Sequence, residues 1–274
     1  MDGFERNGLR FDVRDTGPSR DAPVVVLLHG FPQDASAYDA VVPLLTSAGL
    51  RVLVPDQRGY SPGARPPGRR PYAVPELLAD VVALLDAADV ARAHVVGHDW
   101  GGAVAWALAA RRPDRVESLT ALATPHPAAL RRGLLRGQLL RSWYIAAFQL
   151  AGLPERTLLA DDGARLRDTL VRNGLAPHRA AYYTARMCRP GALTSALAWY
   201  RALTVPGEGG TAAVPVPTTY VSARRDPFFA PASVAATGRH VDGPFLHVDL
   251  DADHWLPEHR PADVAAAVLG HARG

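Results

Sequence analysis

The sequence predicts an α/β fold, a mostly parallel central sheet flanked by helices and interrupted by an all-helical insertion. Three observations predict it. Short β-branched runs alternate with stretches of helical periodicity from residue 23 to residue 122, the pattern of successive βαβ units. From about residue 124 to residue 214 no strand-like run occurs and helical patterns dominate. Strand chemistry then returns at residues 217–221 and 245–250, ahead of a closing helix at 261–271.

Each element has its own signal. Residues 4–7 and 9–13 alternate around Asn7-Gly8, the dipeptide most typical of a tight hairpin, so two antiparallel strands open the sheet. Residues 23–28 form a continuous apolar run suited to a strand buried on both faces, and it ends at His29-Gly30-Phe31-Pro32-Gln33. A helix is expected over 35–47, a buried strand over 50–54 closing at Asp56-Gln57-Arg58-Gly59-Tyr60, and a helix over 74–88. A strand then runs into residues 94–102, a helix follows to about Arg112, and a strand covers 116–122. The helical stretch is punctuated by Gly152, Pro154, Gly174, Pro177 and Pro190-Gly191, and a short Gly-rich link lies at 207–210. The expected division is a core of residues 1–124 and 215–274 with a helical cap of residues 125–214.

Composition narrows the function classes. With 274 residues the chain is long enough to bury a substantial core, and 48% hydrophobic with 21% charged residues describes an ordinary soluble globule. Every basic residue is arginine. A net charge of +3 is too small to argue for nucleic acid, and the clusters Arg65, Arg69, Arg70 and Arg131, Arg132, Arg136 lack the interleaved aromatics of a base-stacking surface. They read as solvated faces. The lone Cys188 excludes an internal disulfide and suits a reducing compartment. The acidic, polar N-terminus is unlike a signal peptide, and no apolar run reaches the length of a membrane span. The expectation is a cytoplasmic protein, monomer or homodimer, with no nucleic-acid or membrane partner.

The chain is organised around His94-Val95-Val96-Gly97-His98-Asp99-Trp100-Gly101-Gly102, where a β-type run stops at a glycine-flanked polar residue and an alanine-rich helix begins. This is the outline of a nucleophile elbow, a sharp strand-to-helix turn whose flanking positions have no room for a Cβ. At its centre stands Asp99. A carboxylate is ionised at neutral pH and needs no base to attack a saturated carbon bearing a leaving group, so the elbow points to a hydrolase with a covalent alkyl-enzyme intermediate. From these residues alone a tight turn with Asp99 as helix N-cap fits equally well.

Other polar residues fall just past the C-terminal ends of strands, the edge at which open α/β sheets bind ligands. Asp226 follows the strand at 217–221 and His254 the strand at 245–250, giving the order nucleophile, acid, histidine. Singly, Asp226 reads as a turn former and His254 as a structural histidine; with the elbow they read as a triad. None of the ten histidines shows metal-ligand spacing and there is no phosphate fingerprint, so neither metal nor cofactor is indicated.

The stretches HGFPQ (29–33), DQRGY (56–60), GHDWGG (97–102), SARRDPFF (222–229) and DHWLPEHRP (253–261), in this order across nearly the whole chain, resemble the epoxide hydrolases of the α/β-hydrolase fold. That family carries two cap tyrosines, one ahead of a Phe-Gln pair and one in a Trp-Tyr-Arg segment, which the resemblance places at Tyr144 and Tyr200. The resemblance implies an epoxide hydrolase making 1,2-diols from a small-molecule epoxide and water. Asp99 attacks a ring carbon, Tyr144 and Tyr200 grip and protonate the oxygen, and His254, oriented by Asp226, activates the water that cleaves the ester. The oxyanion donors are the backbone N–H groups of Phe31 and Trp100, since Pro32 has none to give. By resemblance the Phe31-Pro32 bond is cis. Phe31, Trp100, Tyr144 and Tyr200 are expected to bind substrate, with Tyr182 and Tyr183 only lining the site.

Two other readings stand beside this one. The related haloalkane dehalogenases share the Asp nucleophile and use the following Trp, here Trp100, but their second halide donor is commonly an Asn where this chain has Phe31; fluoroacetate enzymes put Arg where Trp100 stands. A non-catalytic ligand-binding member of the fold would keep the pocket and lose triad members, whereas all three positions are filled. One departure from the family pattern is Asp253 before the histidine, usually a Gly; a second carboxylate there would raise the His254 pKa or compete with Asp226.

Overall fold

A computed structural model describes residues 1–205 and 212–272. The Gly-rich link at 207–210 lies outside the described residues. The strands are β1 (Gly3–Arg6), β2 (Leu9–Thr16), β3 (Val24–Leu28), β4 (Arg51–Pro55), β5 (Ala93–His98), β6 (Val116–Leu122), β7 (Thr218–Ala223) and β8 (Phe245–Leu250). They form one eight-stranded sheet in the order β1-β2-β4-β3-β5-β6-β7-β8. The β1–β2 and β2–β4 pairs are antiparallel and every later pair is parallel. Asn7 and Gly8 both take positive φ, as the tight turn between β1 and β2 requires.

The sheet is covered on both faces, which is why its central strands read as unbroken apolar runs. In β3 the side chains of Val24, Val26 and Leu28 join one core, with α2 (Val74–Ala87) and α3 (Trp100–Arg111). Val25 and Leu27 join the core on the opposite face, with α1 (Val42–Ser47) and the C-terminal helix of residues 261–272. The helix expected over 35–47 is two pieces, a 3₁₀ turn at Ala35–Tyr38 and α1. Asp34 caps the first by accepting from the Ser36 N–H at 2.8 Å, and Pro43 starts the second.

Between β6 and β7 the described elements are helices: α4 (Pro127–Gly133), α5 (Gln138–Arg141), α6 (Trp143–Phe148), α7 (Leu153–Arg172), α8 (Pro177–Met187) and α9 (Ala192–Ala202). Within α7 the helix breaks at Ala160–Gly163, where Asp161, Asp162 and Gly163 take positive φ. Cap and sheet are tied by specific bonds. From α8, Arg186 pairs with Asp34 and Asp56, and Arg179 pairs with Glu258. The Trp199 indole donates to the Arg58 carbonyl at 2.8 Å, and the Trp255 indole to the Asn173 carbonyl at 2.8 Å. After β7 come α10 (Pro231–Ala236), α11 (Leu256–His259) and α12 (Pro261–Ala272). α10, a single short turn after Pro231, has no clear periodicity in the sequence.

Candidate active site

The centre of the site is the turn between β5 and α3. Asp99 has φ 51° and ψ −119°, a conformation a non-glycine residue holds only where the surroundings impose it. They do so by crowding: a Cβ on Gly97 would lie 2.3 Å from the Gly101 carbonyl oxygen, and one on Gly101 would lie 2.1 Å from that of Leu28. The sheet and α3 approach this closely only because both positions lack side chains.

Asp99 stands at the N-cap position of α3 but makes no side-chain cap bond to it. Its Oδ1 accepts from the Phe31 N–H at 2.8 Å, and its Oδ2 lies 3.7 Å from His254 Nε2. The Phe31-Pro32 peptide is cis. Burial pushes the Asp99 pKa up, and the His254 ring with the backbone N–H groups of Phe31 and Trp100 work against that rise. The nucleophile expected from sequence is thus a half-buried carboxylate at the cavity wall, held by fixed donors.

His254 follows β8, and its Nδ1 lies 2.7 Å from Asp226 Oδ2. Asp226 is itself fixed, its Oδ1 accepting from the Phe228 N–H at 2.7 Å. Burial disfavours the charged imidazole, but Asp226, by charge and hydrogen bond, and then Asp99 outweigh it and raise the His254 pKa. Phe228 and Phe229 flank the ring, at 4.7 and 5.9 Å between centroids. The structure therefore brings Asp99, His254 and Asp226 together in one chain of contacts.

Asp253 does not share in it. Its carboxylate is taken by His259 Nδ1, at 2.9 and 3.0 Å, and by the Trp255 N–H at 3.1 Å. Asp226 keeps the hydrogen bond to His254, and Asp253 is a weaker, more remote contributor to the His254 pKa.

The insertion supplies the opposite wall. Tyr200 from α9 packs edge-on against Trp100 at 5.0 Å and Phe31 at 5.5 Å, and Tyr144 from α6 stands 6.0 Å from Tyr200. Burial first, and the Asp99 charge among the other contributors, raise the pKa of both phenols, so both remain protonated over the ordinary pH range. Together with Asp99 and His254 they line a cavity of about 920 Å³ whose remaining walls are mostly apolar, among them Phe148, Leu166 and Phe228. This exceeds the need of a small ligand and suits a bulky apolar one.

Tyr182 and Tyr183 are not among the residues lining that cavity, contrary to expectation. The Tyr183 hydroxyl donates to Glu258 at 2.7 Å and is bonded by Arg179, while Tyr182 lies beside Asp34 and Arg186. Their spacing within a helix could not show which face α8 turns inward. The sequence reading also passed over His98, fully buried, which bridges Gln33 Oε1 at 2.9 Å and the His254 carbonyl at 2.8 Å. Both residues lie inside the quoted motifs, and that was the available signal.

A twisted, mostly parallel sheet with a carboxylate on the turn after β5, an acid after β7 and a histidine after β8 defines an α/β hydrolase built around an aspartate. Residues 23–261 match the family described as alpha/beta hydrolase fold. The AB hydrolase superfamily protein YfhM of Bacillus subtilis is 37% identical over 98% of both chains. Epoxide hydrolase A of Mycobacterium tuberculosis is 32% identical over 97% of this chain and 94% of its own length. Among solved structures, epoxide hydrolase A from Mycobacterium thermoresistibile superposes with a TM-score of 0.86 at 28% identity, covering 99% of this chain and 97% of its own. The chain belongs to the epoxide hydrolase family of the α/β-hydrolase fold.

Proposed function

We propose that the protein is an epoxide hydrolase in which Asp99 Oδ2 attacks one ring carbon of an epoxide to form a covalent ester. The observation that carries this reading is the juxtaposition of two protonated phenols, Tyr144 and Tyr200, with a half-buried carboxylate across one mostly apolar cavity. As the carbon–oxygen bond of the ring breaks, its electron pair goes to the oxygen, which one phenol protonates while the other donates a hydrogen bond. The Asp99 ester is then attacked at its carbonyl carbon by water, whose proton His254 Nε2 accepts. Asp226 holds the imidazole in the tautomer that leaves Nε2 free and stabilises the cation that forms.

The tetrahedral oxyanion develops at Oδ1, which already accepts from the Phe31 N–H, with the Trp100 N–H, bonded to the same carboxylate, as the second donor. Collapse breaks the bond from the carbonyl carbon to the diol oxygen, which takes the remaining proton of the attacking water as the Asp99 carboxylate is regenerated, and the proton left on His254 returns to the tyrosinate. Phe31, Trp100, Tyr144 and Tyr200 form the substrate-binding wall around the reacting ring. Residues 125–214 act as a cap and residues 1–124 with 215–274 as the catalytic core. The enzyme works as a monomer or homodimer in a reducing cytoplasm, to which its lone cysteine is suited.

Halide release is disfavoured because the donors facing Asp99 across the cavity are phenols, which suit an oxygen leaving group. A panel of aryl and alkyl epoxides, bromoalkanes and esters tests the reading. Diol formation with negligible halide or ester turnover is the expected outcome, and bromide release without epoxide turnover would overturn it.

A further inference from the structure

The sequence from Pro125 to Pro154 holds four arginines and no aspartate or glutamate. As a bare sequence the arginines read as a solvated face. The structure shows that the leucines between them are exposed as well: Leu135 is 94% exposed, Leu140 80% and Trp143 69%, with Leu134 and Leu139 beside them. Large apolar side chains crowded into one short segment on the outside of a globular domain mark an interaction surface. Arg131, Arg132 and Arg136 stand exposed in the same segment with no acidic partner among the described residues.

We propose that this face, formed by α4, α5, the start of α6 and the turn at Leu134–Arg136, docks on an anionic lipid bilayer. The occupant is chosen by charge and shape together. Unpaired arginines around a leucine and tryptophan face match the combination by which a segment lies in a headgroup layer, its apolar side chains entering the acyl boundary and its cations on lipid phosphates. A second copy of this chain would instead have to bury these arginines against one another without a counter-charge. Trp143 sits where an interfacial anchor belongs. No described helix is long and apolar enough to cross a membrane, and docking of this kind needs none. This departs from the expectation of no membrane partner, which rested on the lack of a spanning segment and of a signal peptide.

The position of the face matters for access. Leu140, Arg141 and Trp143 also line the large cavity, so the docked face sets one wall of that cavity against the lipid. An apolar ligand dissolved in the bilayer then reaches the cavity without crossing bulk water.

The test is flotation of the intact protein with vesicles of equal parts phosphatidylglycerol and phosphatidylcholine, against pure phosphatidylcholine. Binding to the anionic vesicles alone, reversed by high salt, is expected. Trp143 is the one strongly exposed tryptophan, since Trp106, Trp199 and Trp255 are buried and Trp100 is half-buried, so its emission should shift to the blue on binding and Trp143→Phe should remove the shift. Arg132→Gln and Arg136→Gln should each weaken partitioning about 5-fold, the worth of one basic side chain at such a surface. Leu135→Ser with Leu139→Ser should abolish it, and because both leucines are exposed and outside the cavity lining, that variant keeps its melting temperature and its turnover of a water-soluble substrate. Absence of flotation, flotation unchanged in these variants, or a solution dimer lost in the double leucine variant would each overturn the proposal.

Discussion

The Phe31 N–H donates to Asp99 Oδ1 at 2.8 Å, while Oδ2 of the same carboxylate faces His254. The two oxygens are therefore inequivalent: one accepts from a backbone N–H, and the other, beside His254, is the one proposed to attack. In heavy-oxygen water the first diol released should be unlabelled, because it carries off Oδ2. The entering oxygen takes the place of Oδ2, so the diol of the second turnover should be almost fully labelled. A half-labelled second diol, read by mass spectrometry, would mean that the carboxylate rotates freely between turnovers. Label in the first diol would mean that water opened the ring directly.

On the proposed mechanism, Tyr144→Phe and Tyr200→Phe each delete one donor to the opening oxygen while keeping the ring packed against Phe148. The alkylation rate should fall about 10- to 1,000-fold for each, the usual range for a positioned general acid, with little change in binding. Single-turnover kinetics separates the two quantities. A double variant that opened epoxides at the native rate would remove the main support for the substrate assignment.

Exchange of His254 for Gln should spare alkylation and trap the ester, adding the mass of one epoxide to the peptide that contains Asp99. Asp99→Asn should take up nothing. Asp226→Asn should slow ester hydrolysis by orders of magnitude, whereas Asp253→Asn should change it less than about 10-fold, since Asp253 bonds His259 and not His254. The opposite ranking would reassign the triad acid.

Protonation of His254 gives a separate electrostatic test. Asp226 and Asp99 both favour the imidazolium, so removing either charge should lower the His254 pKa, with Asp226→Asn the larger effect. Alkylation removes the Asp99 charge in the same sense. His254 thus becomes more readily neutral when its base form is needed, and the loss of ester hydrolysis with falling pH should occur at lower pH than the protonation of the free imidazole. Ring titration by NMR in the native and Asp99→Asn proteins checks the sign.

Two glycines should respond oppositely to alanine. At Gly101 a Cβ meets the Leu28 carbonyl at 2.1 Å, so either β3 or α3 has to move, at a cost of about 3 kcal/mol. At Gly270, within α12, nothing lies within 4 Å, and alanine should stabilise by up to about 1 kcal/mol through helix propensity. Chemical denaturation measures both. Equal effects would refute the crowding account of the elbow.

What could be read in advance follows from how local each cause is. The strands of the sheet, the Asn7-Gly8 turn and the elbow at Gly97-His98-Asp99-Trp100-Gly101 announce themselves within a few residues, through burial on two faces or absence of space for a Cβ. The meeting of Asp99, Asp226 and His254 was legible because each follows the C-terminal end of a parallel strand, β5, β7 and β8, on one edge of the sheet. The role of Asp253 was not, because it is decided by His259 six positions later. The orientation of Tyr182 and Tyr183 is decided by Glu258 and Asp34, which only the folded chain brings beside α8, together with Arg179 one turn before Tyr183. The division of the expected helix at 35–47 falls just before Pro43, which has no N–H to give the Asp39 carbonyl, and apolar periodicity does not register that break.

The Phe31 N–H that donates to Asp99 Oδ1 and the Trp100 N–H that bonds the same carboxylate both belong to the main chain. Genetic variation replaces side chains, and every residue except proline brings the same N–H to position 31 or 100. This part of the site is consequently invisible to an alanine scan: Phe31→Ala would report the loss of a ring against Tyr200, not the loss of a donor. Exchange of the single amide for an ester linkage at either position is the alteration that would register it. Substrate range can therefore drift through changes at Phe31 or Trp100 while the capacity to stabilise the oxyanion passes unchanged from one sequence to the next.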